Sequence, residues 1–192
     1  MSGSEGIENK RAGLGFEDLV RQRFSFLAEY GFCEIESLAT IVRYRKGDLE
    51  LNVCHERLSY EVDFQIGHAE DLFYLEELIH ACDPEAAKRY KKWMASTAAT
   101  LAPGVERLAE LVGRYGDRAL RDDPDFFEDL RKNRKFRREE YALDVLASQT
   151  RPKAEAAFRE GRYREAAELY ESIAPQLSPA ERGRLEAARK RS

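Results

Sequence analysis

Three runs of alternating apolar and polar residues constrain the fold more than any other feature of this chain. They span residues 38–44, 49–53 and 60–66, and a turn-forming segment separates each run from the next. Because alternate side chains of a strand share a face, the runs predict three strands with one common apolar face. Centring each turn on its middle pair of residues predicts an antiparallel meander in which Tyr44 lies opposite Leu49. The apolar face of such a sheet needs helices to cover it.

Apolar residues at helical spacing come before and after these strands. The first stripe, which includes Val20, predicts a helix that ends near Gly31, a favourable left-handed cap. After Gly67 the pattern is helical, and the Asp-Pro pairs at 83–84 and 123–124 indicate two further helix starts. The predicted fold class is therefore α+β: a three-stranded antiparallel meander packed by helices, followed by a helical C-terminal half.

The chain of 192 residues is long enough for one domain with an additional small unit. Residues 1–14 are small and polar and are expected to form a flexible start, and residues 15–149 are expected to form the α+β domain. The segment Thr150-Arg151-Pro152 is expected to be the joint before the C-terminal part, where the helical pattern breaks. Residues 150–192 are then predicted to form a helical hairpin that turns at Gly161.

The cysteines indicate the redox compartment of the protein, and the charge distribution indicates the kind of partner it could bind. Cys33, Cys54 and Cys82 are odd in number and scattered, which favours a reducing compartment over a disulfide framework. No apolar run is long enough to cross a bilayer, and we predict a cytoplasmic protein. Residues 1–83 carry 17 acidic and 8 basic side chains, whereas residues 84–192 carry 19 and 24. This asymmetry indicates either complementarity between the two halves or two different partner surfaces.

The polar side chains on the opposite face of the meander are candidate protein-binding residues. They are Glu50, Asn52, Glu61, Asp63 and Gln65. Two carboxylates on one strand could act as acid and base, but the sequence implies neither a histidine nor a cleft beside them. The remaining interpretations are a solvated sheet face and an acidic docking face for a basic partner.

A second candidate site is a basic run of six cations within eight residues. Its members are Arg131, Lys132, Arg134, Lys135, Arg137 and Arg138. The run could bind phosphates, with Phe136 as a stacking side chain. Alternatively, the acidic residues just before it pair with these cations along one helix and complement the helix dipole. The acidic charge of the whole chain disfavours nonspecific binding to nucleic acid.

Signals of catalysis, cofactors and metal binding are absent from the sequence. The histidines and cysteines never fall at metal-ligand spacings, and the sequence contains no phosphate-binding glycine loop, nucleophile elbow or dinucleotide fingerprint. We therefore predict no catalytic, cofactor-binding or metal-binding residue, and we expect a protein that is not an enzyme. Cys54 could be a reactive thiol, but no base is evident near it in the sequence.

The C-terminal hairpin resembles one tetratricopeptide repeat. The matching residues are Ala154, Gly161, Tyr163, Ala166 and Tyr170, and Pro179 lies near the terminal proline of the repeat. The large aromatic residue that the family has early in its first helix is absent, since Thr150 stands near that place. The resemblance implies a surface that holds other proteins, and such repeats need neighbours to bury their faces. An ordinary helical hairpin without a recognition role is the alternative.

The first part of the chain resembles the small bacterial proteins encoded beside polymorphic or contact-dependent toxins. The segments that carry the resemblance are residues 26–32, 49–53 and 59–62, and it covers residues 16–130. It implies a helix, a short meander and further helices, and inhibition of a toxin by stoichiometric binding. The predicted function is therefore non-enzymatic protein binding of this immunity type, with a basic toxin domain as the expected partner. The alternative is a small nucleic-acid-associated protein that uses the basic run.

Overall fold

A computed structural model describes residues 14–56, 58–69 and 71–192 of the chain. The chain divides into two compact units, one ending at Lys132 and one beginning at Asn133. The first unit combines a sheet with helices and the second contains helices, which confirms the α+β class. The predicted domain boundary between residues 149 and 150 stays a prediction. Residues 1–13 of the predicted flexible start lie outside the described residues.

The first unit is built on a sheet of antiparallel strands. Within the described residues the strands are β1 (Cys33–Leu38), β2 (Ile41–Lys46), β3 (Leu49–His55), β4 (Glu61–His68), β5 (Asp71–Tyr74) and β6 (Trp93–Met94). β1 to β5 are neighbours in chain order, and β6 pairs with the part of β4 that β5 leaves open. β2, β3 and β4 are the three strands that the alternating pattern predicts.

The predicted pairing of these strands is wrong by two residues, although the predicted faces are right. Tyr44 lies opposite Leu51, not Leu49, and the pairing of β3 with β4 is shifted in the same way. The first turn is centred one residue later than predicted, on Gly47 and Asp48, with Gly47 at a φ of 57°. Glycine adopts this left-handed conformation at little cost. Because the shift is even, the side chains of β2, β3 and β4 keep their faces. Leu38, which the sequence predicts on the apolar face with Val42 and Tyr44, instead lies in β1 on the opposite face of the sheet.

Two segments predicted as helical are strands instead. Residues 71–74 form β5, where Phe73 lies opposite Ile66, and residues 93–94 form β6, where Trp93 lies opposite Val62. Both segments complete the open edge of β4, so tertiary pairing outweighs their local apolar spacing. β1 is absent from the sequence prediction.

Helices begin at both predicted Asp-Pro starts, whereas the helix that begins at Pro84 already ends at Arg89 and Pro152 does not interrupt its helix. The helices are α1 (Phe16–Arg23), α2 (Leu75–Cys82), α3 (Pro84–Arg89), α4 (Ala98–Tyr115), α5 (Asp117–Leu120), α6 (Pro124–Arg159), α7 (Tyr163–Ser172) and α8 (Pro179–Arg189), with short 3-10 helices at Ser25–Tyr30 and Ala174–Gln176. Gly31 and Gly116 are C-caps, and the Asp83 side chain accepts a hydrogen bond from the Ala86 amide at the start of α3. Pro152 lies inside α6, so the predicted break there is wrong. Burial of Ala147 and Ala154 on either side of the proline stabilises the continuous helix.

One core fills the space between the inner face of the sheet and the helices of the first unit. Leu51 and Phe64 from the strands and Val20, Leu78 and Val105 from the helices are fully buried in it. Each such side chain contributes about 1.5–3 kcal/mol to folding. This core covers only the inner face of the sheet.

β6 is held against α4 through its tryptophan. The Trp93 indole Nε1 donates a hydrogen bond of 2.8 Å to the Thr100 carbonyl oxygen. The indole ring also lies directly on Gly104, where an added Cβ would come within 2.4 Å of the ring. Glycine is therefore the residue that allows this close approach, and the contact fixes the segment that carries Lys92 and Met94.

The second unit has a separate core of small and aromatic residues. Ala154, Ala157, Ala166 and Tyr170 are all fully buried there, where α6, α7 and α8 contribute to one cluster. The start of α8 is fixed by Glu181, which accepts hydrogen bonds from the Ser178 amide at 2.7 Å and from Arg151 Nε at 3.1 Å. The apolar side of the hairpin is thus covered from within its own unit.

Candidate functional site

The sheet face that points away from the core, called here the outer face, brings the five predicted protein-binding residues together. Cross-strand pairing forms a central row across five strands. Its members are Glu36, Arg43, Asn52, Gln65 and Tyr74. Glu50 and Asp63 lie on the same face in the two neighbouring rows, and Glu61 lies one row beyond Asp63, opposite Met94. The prediction that these side chains share a face follows from their period of two and holds in the structure.

The carboxylates on the β1 and β2 side of the outer face are paired with arginines. Arg43 donates a hydrogen bond to Glu36, and Arg45 Nη2 lies 2.6 Å from Glu50 Oε1. The predicted register, with Tyr44 opposite Leu49, places Arg43 opposite Glu50, but in the structure Arg45 lies opposite Glu50 and Arg43 lies opposite Asn52. These pairs are largely exposed, and each contributes about 0–1 kcal/mol to folding. In this part of the outer face, the negative charges of Glu36 and Glu50 are therefore compensated by arginines.

Asp63 is buried and ion-paired with the lysine that immediately precedes β6. Its side chain accepts hydrogen bonds from Lys92 Nζ at 2.6 Å and from the Phe64 amide at 2.8 Å, and the residue is only 3% exposed. Lys92 also lies 3.7 Å from Glu61 and 5.1 Å from the centre of the Tyr74 ring. Burial opposes the charged form of Lys92, but its hydrogen bond and attraction to Asp63, with Glu61, raise its pKa above the usual value.

Asn52 occupies the centre of the outer face without a hydrogen-bond partner for its carbonyl. It is 7% exposed, and its Oδ1 is buried and accepts no hydrogen bond. The longer side chains of Arg43 and Gln65 flank it on the adjacent strands. A buried acceptor without a partner costs about 1–3 kcal/mol. The interpretation of this face as simply solvated is therefore wrong for Asn52 as well as for Asp63.

Apolar side chains are exposed at both edges of the outer face. Leu38 in β1 is 51% exposed, Tyr74 in β5 is 42% exposed, and Met94 in β6 is 66% exposed. Their cross-strand pairing places all three on the outer face. Sequence analysis misses Tyr74 and Met94, because two- and four-residue strands are too short to show a period. Three exposed apolar side chains on one face of the sheet are candidate anchors for a protein partner.

Neither thiol chemistry nor a metal centre is supported at the outer face. Cys54 is 9% exposed, and burial, with the nearby carboxylates of Glu56 and Asp63, raises its pKa to about 12. Its thiol is therefore protonated at neutral pH and a poor nucleophile. In the part of the chain that the structure describes, His, Cys, Asp and Glu residues form no group of three that could hold a metal ion.

The predicted basic run lies on α6, where the helix distributes its cations over several sides. Arg131 lies 2.8 Å from Asp71, Lys132 lies 2.7 Å from Glu128, and Lys135 lies 4.0 Å from Glu139. Pairing with acidic residues therefore accounts for the positions of these three. Arg134, Arg137 and Arg138 make up the other half of the run.

These three arginines share one side of α6 with Tyr141. At about 100° per residue, Arg134, Arg137, Arg138 and Tyr141 fall within a sector of roughly 100°, called here the basic face. Tyr141 is 72% exposed. Phe136, 65% exposed, lies on the other side of the helix. The aromatic residue placed to stack beside the arginines is therefore Tyr141 and not Phe136.

The residues of the hairpin that match a tetratricopeptide repeat have packing roles. Ala154, Ala166 and Tyr170 are fully buried, and Gly161 makes the turn between α6 and α7 with a φ of 79°. Tyr163 contacts Phe158 edge-on, with ring centres 5.6 Å apart. The two alanines let the helices approach closely.

Comparison with protein-family models, with curated proteins and with solved structures finds no match to this chain. Within the described residues, the protein consists of an α+β unit whose helices pack on one face of its sheet, followed by a helical unit. Among the helices of the described segments, none is both long enough and apolar enough to span a membrane.

Proposed function

We propose that this protein is a non-enzymatic, cytoplasmic protein-binding protein that holds one partner protein on its outer face. The observation that carries the proposal is the composition of that face. Leu38, Tyr74 and Met94 are exposed at its edges, and the buried acceptor of Asn52 lies at its centre without a partner. Protein interfaces combine a few aromatic or apolar anchors with polar groups that the partner desolvates and pairs.

The charge of the first unit favours a basic partner. Residues 1–132 carry 26 acidic and 18 basic side chains, a net charge of −8. Such a field accelerates association with a protein of opposite charge, while the apolar anchors hold the complex together. The exposed pair of Arg45 and Glu50 costs little to exchange for a cation of the partner. A basic toxin domain, as the immunity-type resemblance of residues 16–130 implies, has this chemistry.

We further propose that the second unit is a single tetratricopeptide-like repeat. Burial of Ala154, Ala166 and Tyr170 at the matching positions supports this assignment. An experimental structure of the full chain tests it. If α6 and α7 pack with the geometry of the repeat, the proposal holds, and a different crossing of the two helices would make this unit an ordinary hairpin.

Site-specific photo-cross-linking in the source cell tests the main proposal, because it captures the protein that contacts the outer face. A benzophenone amino acid replaces Tyr74 or Met94 in two variants, and a control variant carries it at Glu110, which is exposed on α4. We expect one discrete cross-linked protein from both outer-face positions and none from the control. If neither outer-face position gives a cross-linked product, or if Glu110 gives an equally strong one, the outer face is not the binding surface.

A further inference from the structure

The basic face of α6, exposed at Arg137, Arg138 and Tyr141 and half-buried at Arg134, is a second surface that the proposed function does not use. Its four residues all belong to the second unit, in which residues 133–192 carry 14 basic and 10 acidic side chains, a net charge of +4. The local field at this face is therefore positive although the whole chain has a net charge of −4.

We propose that the basic face binds single-stranded nucleic acid, with phosphates on the arginines and a base stacked on Tyr141. Arg134 and Arg138 are one helical turn apart, about 6 Å along the axis, and can contact neighbouring phosphates of one strand. Arginine pairs with phosphate through two parallel N–H donors and also stacks on planar groups. Tyr141 follows Arg137 and Arg138 by one turn and offers its exposed ring to a base.

The distribution of acidic residues along the helix concentrates positive charge on this face. At the same step of about 100° per residue, Glu139 projects on the opposite side of the helix, Glu140 lies about 60° from Arg137, and Asp144 lies at the edge of the basic face. No acidic residue of residues 133–144 falls within the sector of the basic face itself. Any exposed ion pair that an arginine of this face makes costs little to exchange for a phosphate.

The positions of the acidic residues on α6 argue against an anionic membrane as the ligand. A helix that lies in a membrane surface needs an apolar side without acidic residues. Here Phe136 and Leu143 share their side of α6 with Glu139 and Glu140. Inserting that side into an anionic bilayer would bury two carboxylates, whereas a single strand needs only the basic face.

Fluorescence anisotropy with labelled oligothymidylate and oligouridylate of about 16 nucleotides tests the proposal on the full chain. Each phosphate bound to a single strand contributes about −0.7 to the slope of log affinity against log salt. Three arginines therefore predict a slope of about −2, or affinity roughly 20-fold lower at about 200 mM than at about 50 mM salt. The Arg134→Gln/Arg138→Gln variant should lose at least about tenfold in affinity at the lower salt concentration.

Two further variants test whether the affinity depends on stacking at Tyr141 and whether it depends only on the net charge of the protein. Tyr141→Leu should lower affinity by about fivefold or more with an unchanged salt slope. The control Arg182→Gln/Lys190→Gln makes the same change in net charge at exposed positions of α8 and its C-cap, and it should alter affinity less than about twofold.

Four outcomes would overturn the proposal. They are no anisotropy change at the lower salt concentration, an unaltered affinity in the double arginine variant, an equal loss in the control, and binding to phosphatidylserine vesicles or polyglutamate as tight as to the oligonucleotides. Circular dichroism of each variant checks that the helices remain folded.

Discussion

Replacement of Asn52 by valine should stabilise the free protein and weaken its complex, two effects of opposite sign at one residue. Asn52 is 7% exposed, and its Oδ1 is buried without a hydrogen-bond donor. Valine removes this unsatisfied acceptor, fits the pleated surface of a strand well and loses no hydrogen bond to the carbonyl oxygen. Because Oδ1 is buried in the free protein, the partner can pair it only by moving the flanking Arg43 or Gln65 side chain aside, and Asn52→Val would remove that pairing.

The size of the stabilisation follows from the burial of this group. An unsatisfied buried acceptor costs about 1–3 kcal/mol, so the free energy of unfolding should rise by about 1–2 kcal/mol after imperfect packing of the new side chain is allowed for. For a chain of 192 residues, each kcal/mol raises the melting temperature by about 2–4 °C. Binding of the partner should weaken by about three- to tenfold for the loss of one hydrogen bond.

Urea unfolding and scanning calorimetry measure the first effect, and titration of the cross-linked partner, once purified, measures the second. Gln65→Val is the matched control, because Gln65 lies directly opposite Asn52 and is only half-buried. It should change the free energy of unfolding by less than about 0.5 kcal/mol. If Asn52→Val lowers stability, or if both variants gain equally, the reasoning from the unpaired acceptor is wrong.

Three further predictions concern packing, pH and thiol reactivity. Gly104→Ala should lower the free energy of unfolding by about 1–3 kcal/mol, because its Cβ would overlap an indole ring, whereas Gly113→Ala, with open space around it in the same helix, should raise it by about 0.5–1 kcal/mol. Equal effects in denaturant unfolding would contradict this packing. The backbone hydrogen bond at the start of α8 holds the pKa of Glu181 below its usual value, so its stabilisation is present above the unfolded pKa of about 4.3 and is lost as the pH falls through the folded pKa. Glu181→Gln should therefore lower the melting temperature at about pH 7 but not at about pH 2, and a deficit that persists in acid would refute the assignment. Iodoacetamide at about pH 8.5 should modify exposed Cys33 in the native protein and leave Cys54 unmodified until unfolding, as mass spectrometry of the two peptides can check.

Local signals in the sequence determine those parts of the fold that are predicted correctly. The faces of β2, β3 and β4 follow from alternation, and the helix end at Gly31 follows from the short-range chemistry of a left-handed cap. The register is wrong because it depends on which two residues form the turn, and here they are Gly47, in the left-handed conformation, and Asp48. Pro152 is tolerated in α6 because the helix on both sides of it packs into a buried cluster that no local window contains.

In the candidate site, too, local sequence signals predict some features and long-range contacts determine the others. That Asn52 and Asp63 share the outer face follows from their spacing in the sequence. The burial of Asp63 does not, because the lysine that pairs with it lies 29 residues further along the chain. Tyr74 and Met94 join the face only because β5 and β6 complete the edge of β4, which is a long-range event.

Calorimetric titration of the purified partner tests the central claim, that the outer face holds a partner protein, most directly. The test variant replaces Leu38, Tyr74 and Met94 with serine. The control replaces three exposed apolar residues of α6 with serine: Phe136, Tyr141 and Leu146. The wild type should bind one partner per chain, and the test variant should lose at least about 100-fold in affinity, since each anchor contributes about 1 kcal/mol or more. The control should bind as the wild type does. Unchanged affinity in the test variant, or an equal loss in the control, would contradict the assignment of the outer face.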